Sequence, residues 1–81
     1  MATQKIDLTE TGYIEIGTTG IYVSAYSSGQ VIITNADTLP PVEAFGHPVL
    51  DGDSRVFLEP ASGAWYAKVS SGSGSVTVSY I

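Results

Sequence analysis

The sequence predicts an all-β protein: a compact antiparallel β-sandwich or small open barrel of about seven or eight short strands. Val, Ile, Thr, Tyr, Phe and Trp, the residue types enriched in strands, account for 31 of the 81 residues. Apolar and polar residues alternate in several short runs, and none keeps helical spacing for more than one turn. Turn-forming residues separate these runs at intervals of roughly 8–12 residues. A chain of this length has room for one core, so residues 1–81 are predicted to form one domain.

Four strands are predicted in the N-terminal half, and residues 1–5 are expected to form a flexible arm. The predicted strands are Lys5–Thr9, Tyr13–Ile16, Gly20–Tyr26 and Gln30–Thr34. The third alternates strictly, so that Tyr22 and Tyr26 share its polar face. The fourth contains three consecutive apolar residues at 31–33, which predicts that both of its faces are covered.

Residues 35–54 are predicted to form a long Pro-rich connection that crosses an end or edge of the fold. This segment holds three of the four prolines and four of the eight acidic residues. Proline donates no ladder hydrogen bond, which restricts the segment to loop or edge strand. We expect Val42 and Phe45 to pack into the core. A further strand is predicted at Arg55–Glu59, with Val56 and Leu58 facing inward.

The segment Gly63–Ile81 predicts a hairpin, because two alternating runs flank a Ser-Gly loop. Pairing residues whose numbers sum to 145 matches apolar with apolar side chains throughout, as a buried face requires. The apolar pairs are Trp65 with Tyr80, Ala67 with Val78 and Val69 with Val76. A preceding hairpin about residues 60–63 would set Arg55 opposite Lys68, so a crossing between two sheets stays open there.

The charge balance disfavours several classes of partner. Three Lys and Arg residues against eight Asp and Glu give a net charge of −5, which provides no basic stripe for nucleic acid or for an anionic membrane surface. No apolar run approaches the roughly 20 residues that span a bilayer, and no secretory signal is predicted at the N-terminus. Without cysteine, a domain this small is expected to gain stability from self-association or from a larger partner.

None of the candidate catalytic or metal-binding segments has all the residues that its proposed chemistry requires. Asp51 and Asp53 lie in a turn-forming sequence that lacks the further acids of a calcium loop. His47 has no serine nucleophile motif to act with. The loop at residues 70–75 lacks the lysine and the following helix of a phosphate-binding loop. We therefore expect a protein that is not an enzyme and that has no cofactor and no metal.

Candidate contact residues are tyrosines on predicted polar faces together with the Pro-rich segment. Tyrosine is enriched at interfaces and in sugar-binding platforms, although such a tyrosine can equally cap a strand edge or cover backbone. The predicted interface residues are Tyr22, Tyr26, Pro40, Pro41, Phe45 and Tyr66.

Residues 12–36 and 52–81 resemble a loose group of small all-β accessory proteins of tailed bacteriophage virions. In that group a strand of the pattern x-G-x-V-x-I-x-N leads, after a Pro-containing loop, to L-x-P-x-S-G-x-x-Y-A-x-x-S-S-G-S-x-x-V-x-V. The matching residues are Leu58, Pro60, Ser62, Gly63, Tyr66, Ala67, Ser70, Ser71, Gly72, Val76 and Val78. The resemblance implies a capsid decoration (cement) protein or a tail or fibre module, made in the host cytoplasm and carried on the virion. It also implies a capsid or tail protein as partner, and self-association, for example as a trimer.

Two other functions stay open at this point. One is a carbohydrate-binding module in which Trp65 or the tyrosines stack on sugar rings, and the other is an adaptor within a larger complex.

Overall fold

The protein is all-β, as the sequence predicts. A computed structural model describes residues 3–18, 21–27, 29–49, 55–58 and 63–80, and at residues 21, 22, 27 and 55–58 it describes the backbone alone. The described residues contain eight strands and no helix. The strands are β1 (Thr3–Leu8), β2 (Ile14–Gly17), β3 (Ile21–Ser27), β4 (Val31–Ala36), β5 (His47–Val49), β6 (Arg55–Leu58), β7 (Ala64–Val69) and β8 (Gly74–Tyr80).

The strands form two antiparallel four-stranded sheets, named here sheet A and sheet B. Sheet A has the order β1-β8-β3-β6 and sheet B has the order β2-β7-β4-β5. The first strand pairs with the last, the second with the seventh, the third with the sixth and the fourth with the fifth. This is the result of wrapping one long antiparallel ribbon around itself, which is the connectivity of a jelly roll.

The main core lies between the two sheets and is filled by one face of each. Successive side chains of a strand point to opposite faces, so the alternating runs place every second residue in this layer. Its buried members are Leu8, Ile16, Val23, Ala25, Val31, Ile33, Val49, Ala67, Val69, Val76 and Val78. Trp65 and Tyr80 pack against the core at its edge, and the Tyr80 hydroxyl donates to the Ile16 carbonyl across the sheets at 3.0 Å.

The prediction that β7 and β8 form a C-terminal hairpin is wrong. β7 pairs with β2 and β4 in sheet B, whereas β8 pairs with β1 and β3 in sheet A. Ala67 and Val78 both lie in the main core, but they belong to opposite sheets. Matching of apolar residues is satisfied equally by two sheets that face each other, so the pattern could not distinguish the two pairings. The crossing left open before β7 is present, because β6 pairs with β3 in sheet A.

The loop between β7 and β8 connects the two sheets and is held by hydrogen bonds at two of its residues. The Ser70 N–H donates to the Gln30 carbonyl at 2.8 Å, and the Gly72 N–H donates to the Glu10 carboxylate at 2.8 Å. Gly72 has φ = 72°, a left-handed conformation that glycine adopts without strain. The loop is therefore part of the fold rather than a free hairpin tip.

The N-terminal segment also differs from expectation, whereas the middle segment contains an edge strand, one of the two structures that its prolines allow. β1 begins at Thr3 and pairs residue by residue with β8, so residues 3–5 belong to sheet A rather than to a flexible arm. Pro48 lies in β5, an edge strand of sheet B, where a missing N–H is tolerated. Residues 50–54, with the predicted Asp turn, lie outside the described residues, as do the side chains of Val56 and Leu58.

Candidate contact surface

The connection between β4 and β5, residues 37–46, folds over the outer face of sheet B, and we call it the contact loop. Pro40 and Pro41 keep it from adding a strand, since neither can donate a ladder hydrogen bond. The Ala44 N–H closes a turn on the Pro41 carbonyl at 3.0 Å. The Ala44 carbonyl in turn accepts a hydrogen bond from the Tyr13 hydroxyl at 2.7 Å. The loop is thus anchored to sheet B at its base.

Under the contact loop lies a second apolar cluster, which we call the outer cluster. Its buried residues are Tyr13, Ala64 and Tyr66, and Ile32, Ala36 and Ala44 pack against them. Ile32 belongs to this cluster while its neighbours Val31 and Ile33 lie in the main core. The prediction that both faces of this strand are covered is confirmed. Lys68 lies at the margin, its Nζ 5.7 Å from the centre of the Tyr13 ring.

Gly46 allows the contact loop to approach the sheet closely. A Cβ at this position would lie 2.5 Å from Cγ2 of Ile32 and 2.9 Å from the Ile33 carbonyl oxygen. Such distances are shorter than a real Cβ tolerates, so the loop can return to the sheet here only with glycine.

The contact loop exposes most of its large apolar side chains. Phe45 is 98% exposed, Leu39 64% and Val42 40%. The expectation that Val42 and Phe45 pack into the core is therefore wrong. The physical reason is that the loop anchors through Ala44 and Gly46, which are small enough to lie against Tyr13 and Ile32, and the residue between them points away.

The structure separates the predicted contact residues into three groups. Pro41 and Phe45 are exposed and Pro40 is half-buried, all on the contact loop. Tyr26 is 48% exposed on the outer face of sheet A. Tyr22 lies in β3, but its side chain is outside the described residues.

The prediction that Tyr66 is a contact residue is wrong, because its side chain is only 7% exposed and belongs to the outer cluster. Alternation placed it correctly on the face away from the main core, but the contact loop covers that face. Leu39 and Val42 were missed as contact residues. Their signal was present in the sequence, since they are apolar residues beside prolines and acids in a segment without periodic alternation.

The contact loop carries negative charge. Asp37 and Glu43 are exposed on it, and residues 37–46 contain no Lys or Arg. An apolar surface with acids beside it suits a partner that offers an apolar pocket with cations at its rim.

The described residues carry one histidine and five acidic side chains. They contain no group of three or more His, Asp or Glu side chains that could hold a metal ion. His47 is exposed at the start of β5.

A shallow groove of about 300 Å³ runs beside β1 and the start of β8, lined by Lys5, Asp7, Leu8, Ser73, Gly74 and Ser75. The described part of the chain has no helix that could cross a bilayer.

Tyr13 should make the stability of the outer cluster pH-dependent. Burial raises the pKa of its phenol above the usual 10.0, so the folded state holds the proton more tightly than the unfolded chain does. This contribution is complete below about pH 10 and is lost as the pH rises through the higher folded-state pKa.

We expect the free energy of unfolding to fall more steeply above about pH 10 in the wild type than in Tyr13→Phe. The variant should also lose about 1 kcal/mol at pH 7, because the Ala44 carbonyl loses its donor. Urea titrations across this range measure both effects. Equal pH dependence in the two proteins would show that Tyr13 is not protected in the folded state.

The comparisons with known proteins give no relative. No family model matches the chain, and no curated protein and no solved structure matches it either.

Proposed function

We propose that the protein is a non-catalytic virion component, a capsid decoration protein that attaches to the particle through its contact loop. The observation that carries the proposal is Phe45, a large aromatic side chain that is 98% exposed on a loop anchored to the sheet beneath it. Full exposure of Phe costs about 1.5–3 kcal/mol relative to burial. An anchored segment that presents such side chains is typical of a protein–protein contact site.

The anchoring increases the affinity that this surface can reach. A loop that must be ordered on binding loses part of its interaction energy to conformational entropy. Here the Tyr13–Ala44 hydrogen bond, the turn from Pro41 to Ala44 and the close approach at Gly46 already hold the backbone. Leu39 and Phe45 can therefore act as preformed anchors in pockets of the partner.

The virion assignment has two further supports. The resemblance of residues 58–78 to phage accessory proteins points to a capsid or tail protein as partner. Jelly-roll connectivity also occurs in viral capsid domains, although a fold shared among many functions is support by analogy alone. Binding only to the assembled shell would stabilise it by mass action.

Glycan binding is the second candidate, and the outer face of sheet A favours it. Tyr26 is exposed there beside a row of hydroxyl-bearing residues of β8, namely Ser75, Thr77 and Ser79. An aromatic ring among hydroxyl groups is suited to stacking on a sugar. Trp65 is less suited, because it is half-buried and packs against the main core.

Replacing the exposed apolar anchors should abolish attachment without unfolding the protein. For Phe45→Ser combined with Leu39→Ser, we expect at least about a 100-fold loss of binding to purified phage heads, from about 3 kcal/mol of lost burial. The free energy of unfolding should change by less than about 0.5 kcal/mol, since both side chains are exposed. Co-sedimentation with heads and urea unfolding measure the two quantities.

Tyr26→Ser is the matched control, because it removes an exposed aromatic side chain from the opposite sheet. It should leave attachment to heads unchanged. If Tyr26→Ser weakens binding to immobilised glycans while the contact-loop variant does not, the second candidate is favoured. Wild-type protein that sediments with neither heads nor tails contradicts the virion proposal.

A further inference from the structure

The free edge of β1 differs from the other sheet edges in the described part of the chain. β1 has six residues, each paired in regular register with β8 on one side only. The other edges are short or interrupted: β5 contains Pro48, β2 has a register shift between Glu15 and Gly17, and β6 has four residues. Long regular edges expose a row of backbone donors and acceptors that can pair with another strand.

The side chains of β1 leave this edge accessible. Thr3, Gln4, Lys5 and Asp7 are exposed. Gln4 lies opposite the buried Val78 and so faces the space between the sheets, yet it is exposed. Ile6, two residues on, is only partly buried against the main core. The main core is therefore incompletely covered along this edge.

We propose that a second copy of this chain pairs with this edge, β1 against β1 in antiparallel orientation, about a two-fold axis at Ile6. In this register residues whose numbers sum to 12 lie opposite each other. Lys5 of each copy then meets Asp7 of the other, and the two Ile6 side chains meet at the axis. Gln4 lies opposite Leu8, so five residues of each copy form the ladder.

Charge selects this register over its neighbours. A shift by one residue would place the outer face of one copy beside the inner face of the other. If the numbers of opposite residues summed to 10 instead of 12, Lys5 of one copy would lie opposite Lys5 of the other. If they summed to 14, Asp7 would lie opposite Asp7. Like charges directly across a ladder are destabilising, and opposite charges are stabilising. Only the pairing centred on Ile6 satisfies both side-chain charges.

The paired molecule would have a continuous eight-stranded sheet, with two copies of sheet A joined at β1. Pairing uses sheet A, whereas the contact loop covers sheet B, so it does not depend on the proposed attachment to virions. A ladder of this length buries a small area, which predicts weak, concentration-dependent association.

Sedimentation equilibrium of the untagged protein from about 10 μM to 1 mM tests the pairing. We expect the mass to rise from the 8.5 kDa of the single chain towards twice that value. K5D and D7K should each weaken association at least about tenfold, because each places like charges opposite each other. The swap K5D/D7K should restore the wild-type constant within about threefold, since it re-forms both opposite-charge pairs.

The two single variants control for net charge, because K5D makes the chain more acidic and D7K makes it less acidic. They also lose the Lys5–Asp7 ion pair within the strand, which is 3.6 Å long and exposed, so thermal melts must show that both remain folded. A monomer at every concentration overturns the proposal. So does association that the single variants leave intact, or that the swap does not restore.

A cysteine pair gives an independent measure of register, since the chain has no native cysteine. In a mixture of K5C and D7C proteins, oxidation should link the two different variants in preference to like ones, because positions 5 and 7 lie opposite each other. Preferred K5C–K5C or D7C–D7C links would contradict the pairing about Ile6.

Discussion

Replacement of Gly63 by alanine is expected to lower the free energy of unfolding by about 2–4 kcal/mol. Gly63 has φ = 79°, a left-handed conformation that L-residues adopt with strain. An added Cβ would also collide with the Ala36 carbonyl oxygen and lie 2.8 Å from Oδ1 of Asp37. These atoms belong to the end of β4 and the start of the contact loop. The side chain therefore has no space at the point where β7 meets β4.

Gly12→Ala is the matched control for this substitution. A Cβ at Gly12 would have no atom within 4 Å, and Gly12 is not among the glycines with positive φ. Its replacement should change the free energy of unfolding by less than about 0.5 kcal/mol. Urea unfolding of the two variants beside the wild type measures the difference. Similar values for both would mean that Gly63 is not held by the β4 end as described.

The single-strand features of the fold could be predicted because each depends on local alternation alone. Val23 and Ala25 are buried in β3, as their spacing of two predicts, and the three apolar residues of β4 are covered on both faces. Alternation of apolar and polar residues with a period of two indicates which residues of one strand share a face. It therefore gave the fold class and most of the main core.

Pairing between strands could not be predicted in the same way. Alternation in β7 and β8 requires that Val69 and Val76 be buried, and both are, but it is satisfied by neighbours in one sheet or by opposite sheets. The choice depends on the whole set of pairings, including β1 with β8 and β2 with β7. Those involve residues 48 to 76 positions apart, for which a local pattern holds no information.

The candidate site was predicted in part for a related reason. Proline and acid content identified the segment that became the contact loop, and Pro41 and Phe45 are exposed there. The error at Tyr66 arose because an outward-facing side chain was taken to be a solvent-facing one. Whether a loop covers an outer face depends on tertiary contacts such as that of Tyr13 with Ala44. Sequence spacing does not contain them.

Ile33 and Ile32 provide the sharpest stability test, because neighbouring residues of β4 face two different apolar layers. Ile33 is 2% exposed in the main core, and Ile33→Ala should cost about 3–5 kcal/mol through lost burial and the cavity left behind. Ile32 is half-buried and contacts the outer cluster, so Ile32→Ala should cost about 1–2 kcal/mol. A domain of this size has roughly 4–12 kcal/mol in total, so the first change could leave it largely unfolded.

Ile33→Val keeps the comparison measurable, since loss of one methylene should cost about 0.5–1.5 kcal/mol and leave the protein folded. Urea unfolding of Ile33→Val, Ile33→Ala and Ile32→Ala should give a graded series with Ile33→Ala lowest. Ile32→Ala should in addition loosen the contact loop, because Ile32 lies beside Gly46, and hydrogen exchange at the Ala44 amide would report this. If Ile32→Ala costs nothing and leaves that amide protected, the contact loop does not rest on an outer cluster. Its exposed side chains would then lack the rigid base on which the binding proposal depends.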